Sequence, residues 1–260
     1  RSMMDELLAR HTRMPIHVIR DGMTLEADSV YLIPPRQNLK IYRNRLFLEK
    51  QDTGKGLNLP IDIFFRSLAE EKEKNAIGII LSGTGSDGTM GTREIKENGG
   101  LIMVQDEKSS KFNGMPASAI STGLVDYILS PEKMGGELIN YVKHPLVRQE
   151  KKPGGSSSGE VDSVSKVMMI LREYSGIDFS YYKENTIHRR LDRRVSINRF
   201  HELKDYLPFL SASDGEKEIL YRELLIGVTH FFRDKEAFES LKKHVIRKLA
   251  GGDKKQVRVW

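Results

Sequence analysis

No cysteine occurs among the 260 residues. That excludes a disulfide framework, a zinc–thiolate centre and a thiol nucleophile. The absence is compatible with a cytoplasmic protein. No apolar run approaches the roughly 18–20 residues that a membrane-spanning helix needs. The first residues, RSMMDELLAR, lack the apolar core of a secretion signal and are already in a helical pattern. No G-x-S-x-G elbow follows a strand, the one literal match (Gly155 to Gly159) lying in a serine run, so the nucleophile elbow of the α/β hydrolases is missing. No metal site is expected, and neither is membrane insertion.

Net charge is nearly absent from the first part of the chain and not from the second. The formal net charge is +6. Residues 1–160 hold 22 Lys and Arg against 21 Asp and Glu, whereas residues 161–260 hold 20 against 15. The basic half should prefer an acidic partner, nucleic acid or an acidic protein surface. Between the halves, KKPGGSSSGE (151–160) has Pro, paired glycines and a serine run with nothing apolar to bury, which reads as a linker.

The first half mixes strands and helices. Ile16–Ile19 and Val30–Ile33 read as short strands, and Leu39–Tyr42 with Leu46–Leu48 as a hairpin around Arg43-Asn44-Arg45. Ile61–Glu73 has apolar residues at helical spacing. Then AIGIILSGTGSDGTMGTREIKENGGLIMVQD (76–106) reads as strand, glycine-rich loop, helix (Thr89–Glu97) and strand (Leu101–Gln105), a building block of a parallel α/β sheet. Val125–Leu129 completes the strands and Pro131–Val142 is a last helix. The second half reads as helices over Val164–Glu173, Asn185–Asn198, His201–Leu210, Glu216–Leu225 and Lys235–Ala250, with a strand starting at Gln256–Trp260.

Sites in such sheets lie at the carboxyl ends of strands, where the glycine loop is. The loop contains Gly83-Thr-Gly85-Ser-Asp-Gly88, a literal G-x-G-x-x-G, and Asp106 follows 18 residues beyond Gly88. That pattern fits a dinucleotide site. Asp87 weakens the fit, because it puts a carboxylate where a pyrophosphate needs only N–H donors. The plainer reading is a glycine turn with Asp87 capping a helix.

In the second half, YYKENTIHRRLDRRVSINRF gathers Arg189, Arg190, Arg193 and Arg194 within two helical turns, with Ile187, Leu191 and Val195 able to face a core. These arginines form either a solvated charged face or a docking surface for an acidic partner. Few aromatics accompany them, which disfavours nucleic acid. In LLIGVTHFFRDKEAFESL, Asp234 reads as a helix N-cap and Arg233 stands beside it.

The stretch PIDIFFRSLAEEKEKNAIGIILSGTGSDGTMGTREIKENGG, followed by QDEKSSKFNGMPASAISTGLVDYIL, closely resembles the catalytic domain of the CheB family of chemoreceptor methylesterases and deamidases. The resemblance implies a Rossmann-like parallel-sheet α/β domain over residues 1–146, incomplete at its N-terminal side. It also implies a Ser–His–Asp triad in which Asp87 is the aspartate that orients the histidine. The family's serine and histidine motifs are not found. His11 and His17 do not match the histidine motif, and Thr84 stands where many relatives have Met. The chain alone is expected to be inactive as an esterase.

YSGIDFSYYKENTIHRRLDRR, YRELLIGVTHFFRD and VRVW resemble the N-terminal helical domain of the CheR family, the S-adenosylmethionine-dependent receptor glutamate methyltransferases. The resemblance implies an all-α subdomain over 162–253 after a linker at 147–161, with a catalytic domain starting at 254–260. It gives Arg189, Arg190, Arg193 and Arg194 a receptor-binding role. Thr229 and Arg233 become residues at the edge of the S-adenosylmethionine cleft, and Gly227 replaces a family asparagine. The order implies a CheB–CheR hybrid, cut at both ends. Its expected partners are methyl-accepting chemoreceptors, not nucleic acid. The alternatives are a non-catalytic scaffold that docks on acidic receptor helices and a dinucleotide-binding enzyme.

Overall fold

The computed structural model describes residues 3–51, 57–148, 158–179, 182, 184–226 and 239–246. Arg1–Leu225 form one compact unit and Ile226–Trp260 a second. In the second, Ile226 and the helical turns at 239–246 are described.

Helix α1 (Met4–Ala9) leads into three short strands, β1 (Ile16–Val18), β2 (Met23–Thr24) and β3 (Val30–Leu32). β1 and β3 pair in parallel, Ile16 opposite Val30. β4 (Gln37–Tyr42) and β5 (Arg45–Lys50) then form a hairpin in the register Gln37 to Lys50 and Tyr42 to Arg45. Its turn is Arg43-Asn44, both with positive φ (47° and 58°), the backbone that matches the twist of a two-residue hairpin. The turn residues are therefore two, not the three expected. Glu71 accepts the N–H groups of both, at 3.0 and 2.8 Å. β2 pairs with β5, so this sheet is antiparallel and stands apart from the parallel one.

The parallel sheet has the order β6 (Ile77–Ile80), β7 (Leu101–Gln105), β8 (Tyr127–Leu129). β7 is central, and Leu101, Ile102, Met103 and Val104 are all fully buried. A strand covered on both faces reads as a continuous apolar run, which is why LIMV carries no alternation. On one face lie α2 (Pro60–Lys72) and α3 (Thr89–Glu97), through Phe65, Ala69 and Ile95. On the other lies α5 (Pro131–Lys143), through Met134 and Tyr141. Gly91 permits the close approach of α2 and α3, because a Cβ there would come within 2.4 Å of the Phe65 Cβ. The GMPASAIS segment, left without an assignment in the sequence, is helix α4 (Gly114–Ser121). A short helix, α6 (Pro145–Arg148), follows α5.

The basic half folds into α7 (Ser158–Ser175), α8 (Glu184–Ile197), α9 (Leu203–Ala212) and α10 (Asp214–Leu225). Their core contains Val167, Leu171, Phe179, Tyr206, Leu210, Leu220 and Leu224, together with the expected Ile187, Leu191 and Val195 of α8.

The polar side of α8 corrects a sequence expectation. Arg190, Arg193 and Arg194 are 1%, 4% and 4% exposed, and Arg189 is half-buried. Arg190, Arg193 and Arg194 face the α/β half and α10, not solvent, so these three do not present the receptor-facing surface expected of them; Arg189 keeps part of its surface exposed. Arg193 pairs with Asp126, and with Glu223 of α10 at 2.7 Å. Arg194 holds Glu216 through two hydrogen bonds of 2.8 and 2.6 Å. Tyr206 donates to the same carboxylate at 2.6 Å. Lys96 of α3, also buried, reaches Asp126 at 2.7 Å and Glu223 at 3.1 Å. Arg190 donates to the Lys96 and Glu97 carbonyls, and Arg189 to the Glu97 carbonyl.

Burial works against every charge in this junction, and the partners decide the outcome. At Glu223 desolvation is outweighed by Arg193, Lys96, Arg194 and Arg190, which hold its carboxyl well below the usual range. Burial and the neighbouring Arg193 lower the Lys96 ammonium despite Asp126 and Glu223. Burial brings Arg190 down to about 10. At Lys96 and Arg190 the partners offset burial less than they do at Arg193 and Arg194.

Glu223→Gln leaves Lys96, Arg193 and Arg194 short of a carboxylate in a dry site. Breaking a buried pair costs about 3–5 kcal/mol, so the urea midpoint should fall accordingly. Because the Glu223 carboxyl is lowered on folding, its contribution is present above the unfolded carboxylate range and is lost as pH falls. The variant should flatten that acid-side loss. Unfolding curves at several pH values measure both, and an unshifted midpoint would contradict the pairing.

Candidate active site

Asp87 lies in the loop between β6 and α3, at the carboxyl end of β6. Two glycines with positive φ, Gly85 (82°) and Gly88 (92°), shape the loop on either side of it. Its carboxylate accepts the N–H of Ile61 at one oxygen and that of Asp62 at the other, both at 3.0 Å. These are N–H groups of the first turn of α2. The residue before that helix, Leu59, has no side chain able to cap it, and Pro60 begins the helix. The cap comes instead from Asp87, 26 and 25 residues beyond the two N–H groups it accepts.

The arrangement is reciprocal. Gly88 precedes α3 and has no side chain to cap it. Asp62 accepts the Gly91 N–H at 2.6 Å and serves that end. Each helix N-terminus thus receives a carboxylate from the other element, where the helix dipole favours negative charge. Burial raises the Asp62 carboxyl above its usual value; the Gly91 N–H opposes this and the charge of Asp87 adds to it.

The rest of the loop is tied to a second segment. Gly83 N–H donates to the Phe112 carbonyl and Met115 N–H to the Gly83 carbonyl, both 2.9 Å. Ser82 N–H donates to the Gln105 side chain at 2.8 Å, and Gln105 donates to the Ser109 carbonyl at 2.9 Å. A Cβ at Gly114 would come within 2.9 Å of Gly85 N, so only glycine permits this approach. The two segments G-T-G-S-D-G and G-M-P-A-S-A-I are therefore neighbours.

This geometry disposes of the dinucleotide reading. A pyrophosphate at the start of α3 would meet the Asp62 carboxylate on the helix N–H group and Asp87 close by. Asp106 accepts Ser109 N–H at 2.9 Å and closes its own turn. The plainer reading, Asp87 as a helix cap, holds with one change: it caps α2, not the helix it precedes.

A carboxylate offers about four acceptor positions, and Asp87 spends two on backbone N–H groups. Two remain for a further donor such as an imidazole N–H. No histidine is hydrogen-bonded to Asp87 among the described residues. His17 stacks on Tyr31, with ring centroids 5.3 Å apart. Thr229, Arg233, Gly227 and the strand expected at 256–260 lie outside the described residues. Among the described residues, no group of three or more His, Cys, Asp or Glu could hold a metal ion, and no helix is long and apolar enough to cross a membrane.

Comparison with known proteins fits this geometry. The family model described as CheB methylesterase matches residues 1–138. The chain belongs to the CheB methylesterase family. The model described as CheR methyltransferase, all-alpha domain, matches residues 162–225. A CheB methylesterase domain is thus followed by a CheR helical domain, in hybrid order.

Two relatives frame the CheB assignment. An uncharacterized 104.1 kDa protein of Rhodobacter capsulatus is 36% identical over 99% of this chain, which spans 29% of its length. A putative protein-glutamate methylesterase/protein-glutamine glutaminase of Leptospira interrogans is 40% identical over 49% of this chain and 67% of its own. The solved catalytic domain of Thermotoga maritima CheB methylesterase matches 52% of this chain and 74% of its own at 29% identity, with a TM-score of 0.47.

The sequence singles out Asp87 as a candidate and gives no sign that Asp62 and Gln105 are tied to the same loop. Asp62 was legible as an acidic residue in the first turn of an amphipathic helix. That its oxygen would serve a different helix was not legible, because the contact spans 29 residues. Gln105 gave no signal beyond ending an apolar strand.

Asp87→Ala should cost about 1 kcal/mol, the worth of a lost helix cap. It also removes a charge that raises Asp62. Folded Asp62 holds its proton more tightly than the unfolded chain, so its contribution is present at low pH and lost as pH rises through the folded value. In the variant that loss should be smaller and should be complete at lower pH. Urea unfolding across roughly pH 3 to 7 reads both effects, and an unchanged profile would contradict the reciprocal caps.

Proposed function

We propose that this CheB family member acts on chemoreceptors in the cytoplasm, hydrolysing glutamate methyl esters and deamidating glutamines, with the CheR half methylating receptor glutamates. The single observation that carries the esterase reading is the Asp87 carboxylate. It is fixed by two backbone donors at a strand end, with acceptor positions still open. In a Ser–His–Asp mechanism such a carboxylate orients the imidazole so that its other nitrogen faces the serine, and stabilises the imidazolium formed when the serine attacks the ester. A carboxylate held by helix N–H groups stays in place while that charge appears, so little reorganisation is needed. The leaving group is methanol.

The CheR family match supports S-adenosylmethionine as the methyl donor of the other half. Thr229 and Arg233 remain its proposed contacts at the cleft edge. The domain division proposed with this reading is 1–146 for the esterase part, 147–161 for the linker, 162–253 for the helical part and 254–260 for the start of the methyltransferase catalytic domain.

Methanol release from methylated chemoreceptor, measured with the protein in its full natural length, tests the esterase reading. Asp87→Asn keeps an acceptor oxygen for one of the two α2 N–H groups but offers no charge to an imidazolium. It should lower kcat by about 10⁴-fold with the fold intact by circular dichroism. An unchanged rate would remove Asp87 from the triad.

A further inference from the structure

Helix α3 has two ends with different attachments. Its N-terminal end carries the Asp87 loop. Its first turn is fixed by the Thr92 hydroxyl on the Gly88 carbonyl (2.8 Å) and by Asp62 on the Gly91 N–H. Its C-terminal end is closed by Gly99, at φ +87°, with Gly99 N–H to the Lys96 carbonyl (3.0 Å) and Gly100 N–H to the Ile95 carbonyl (2.9 Å). That leaves a cluster of carbonyls at the negative end of the helix dipole.

The helical half holds this second end in three ways. Arg190 spans the Lys96 and Glu97 carbonyls with its two terminal nitrogens. Arg189 adds a bond to the Glu97 carbonyl at 3.3 Å. Its side chain also lies over Gly99, where an added Cβ would stand 3.0 Å from the Arg189 Cδ. Glu223 takes the Lys96 ammonium at 3.1 Å. Between the two ends, nine residues of helix span about 14 Å. Gly91 is packed against Phe65, and Ile95 is fully buried. Close-packed helices do not deform gradually, so a displacement at one end is passed to the other.

We propose that α8 and α10 are positioning elements for the Asp87 loop. By gripping the carbonyl end of α3, Arg190, Arg189 and Glu223 hold the opposite end of that helix, and with it the Asp87 carboxylate, against the first turn of α2. The CheR-like half thereby sets the geometry of the CheB site. The consequence for ester hydrolysis rests on the function proposed above; the mechanical link does not.

Hydrogen exchange on this 260-residue chain tests the link without any assay of activity. Arg190→Met is compared with Arg172→Met, an exposed control in α7. The amides of Ile61, Asp62 and Gly91 should exchange about tenfold faster in Arg190→Met, as local opening becomes easier. The β4–β5 hairpin should keep its protection in both. Unchanged exchange at those three amides would overturn the proposal, and so would equal loss of protection in the hairpin. Should Arg190→Met fail to fold, Arg189→Ala removes a half-buried contact and should give the same pattern at smaller amplitude. In the full natural length, Arg190→Met should lower kcat for methanol release and leave KM unchanged. An exchange shift in Arg190→Met, with no methanol released by the wild-type protein, would sink the esterase reading and leave the positioning role standing.

Discussion

A buried ammonium makes the strongest demand on this structure. Lys96 lies on a helix of the α/β half, out of reach of water, with one carboxylate from its own half and one from the helical half. An unpaired ammonium in such a place would be neutralised or would prevent packing. Its charge is tolerable only when Asp126 and Glu223 are both present. Asp126 is itself tied into the sheet by accepting Ile102 N–H at 2.8 Å. The same two carboxylates serve Arg193, so each cation in the junction requires the others' partners to be in position. Leu101, Met103 and Tyr141 pack close to these charges, and burial pushes the Tyr141 hydroxyl up to about 12. A dry, crowded site of this kind leaves few alternative arrangements, which argues for a fixed association of the two halves within residues 1–225.

The candidate site follows from the same economy of charge. Two helix N-termini meet near the end of β6, and neither has a capping residue of its own. Asp87 and Asp62 exchange roles, each serving the other's helix. The price is a pair of carboxylates close together: burial raises the Asp62 carboxyl, and the charge of Asp87 adds to the rise. In the triad role proposed for Asp87, a carboxylate that is also a structural cap would not drift when a proton moves past it. Gly85 and Gly88 hold it there by bringing the chain through left-handed backbone on either side.

Much of this was legible in the sequence. Thr89–Glu97 and Leu101–Gln105 were read to the residue, because a glycine pair and a continuous apolar run mark their limits without ambiguity. Asp87 stood out because it is the one carboxylate in its glycine loop. The arginine face of α8 misled, for a physical reason. A run of guanidiniums looks solvated when only its own helix is considered, and the carboxylates that bury it, Asp126 and Glu223, lie 67 residues before and 30 residues after Arg193. Contacts of that range carry no local signature. The Asp62 cap, Gln105 and the Arg190 grip on two carbonyls belong to the same class.

The absence of cysteine offers a direct measurement of the central claim, that the two halves form one body through the buried junction. Nitroxides at Glu70→Cys in α2 and Asp205→Cys in α9, both exposed positions, would report the distance between the halves by double electron–electron resonance. The account requires one narrow distance distribution in an otherwise native background. A broad or multiple distribution in folded protein would contradict it, because halves joined only by residues 149–157 would sample many separations.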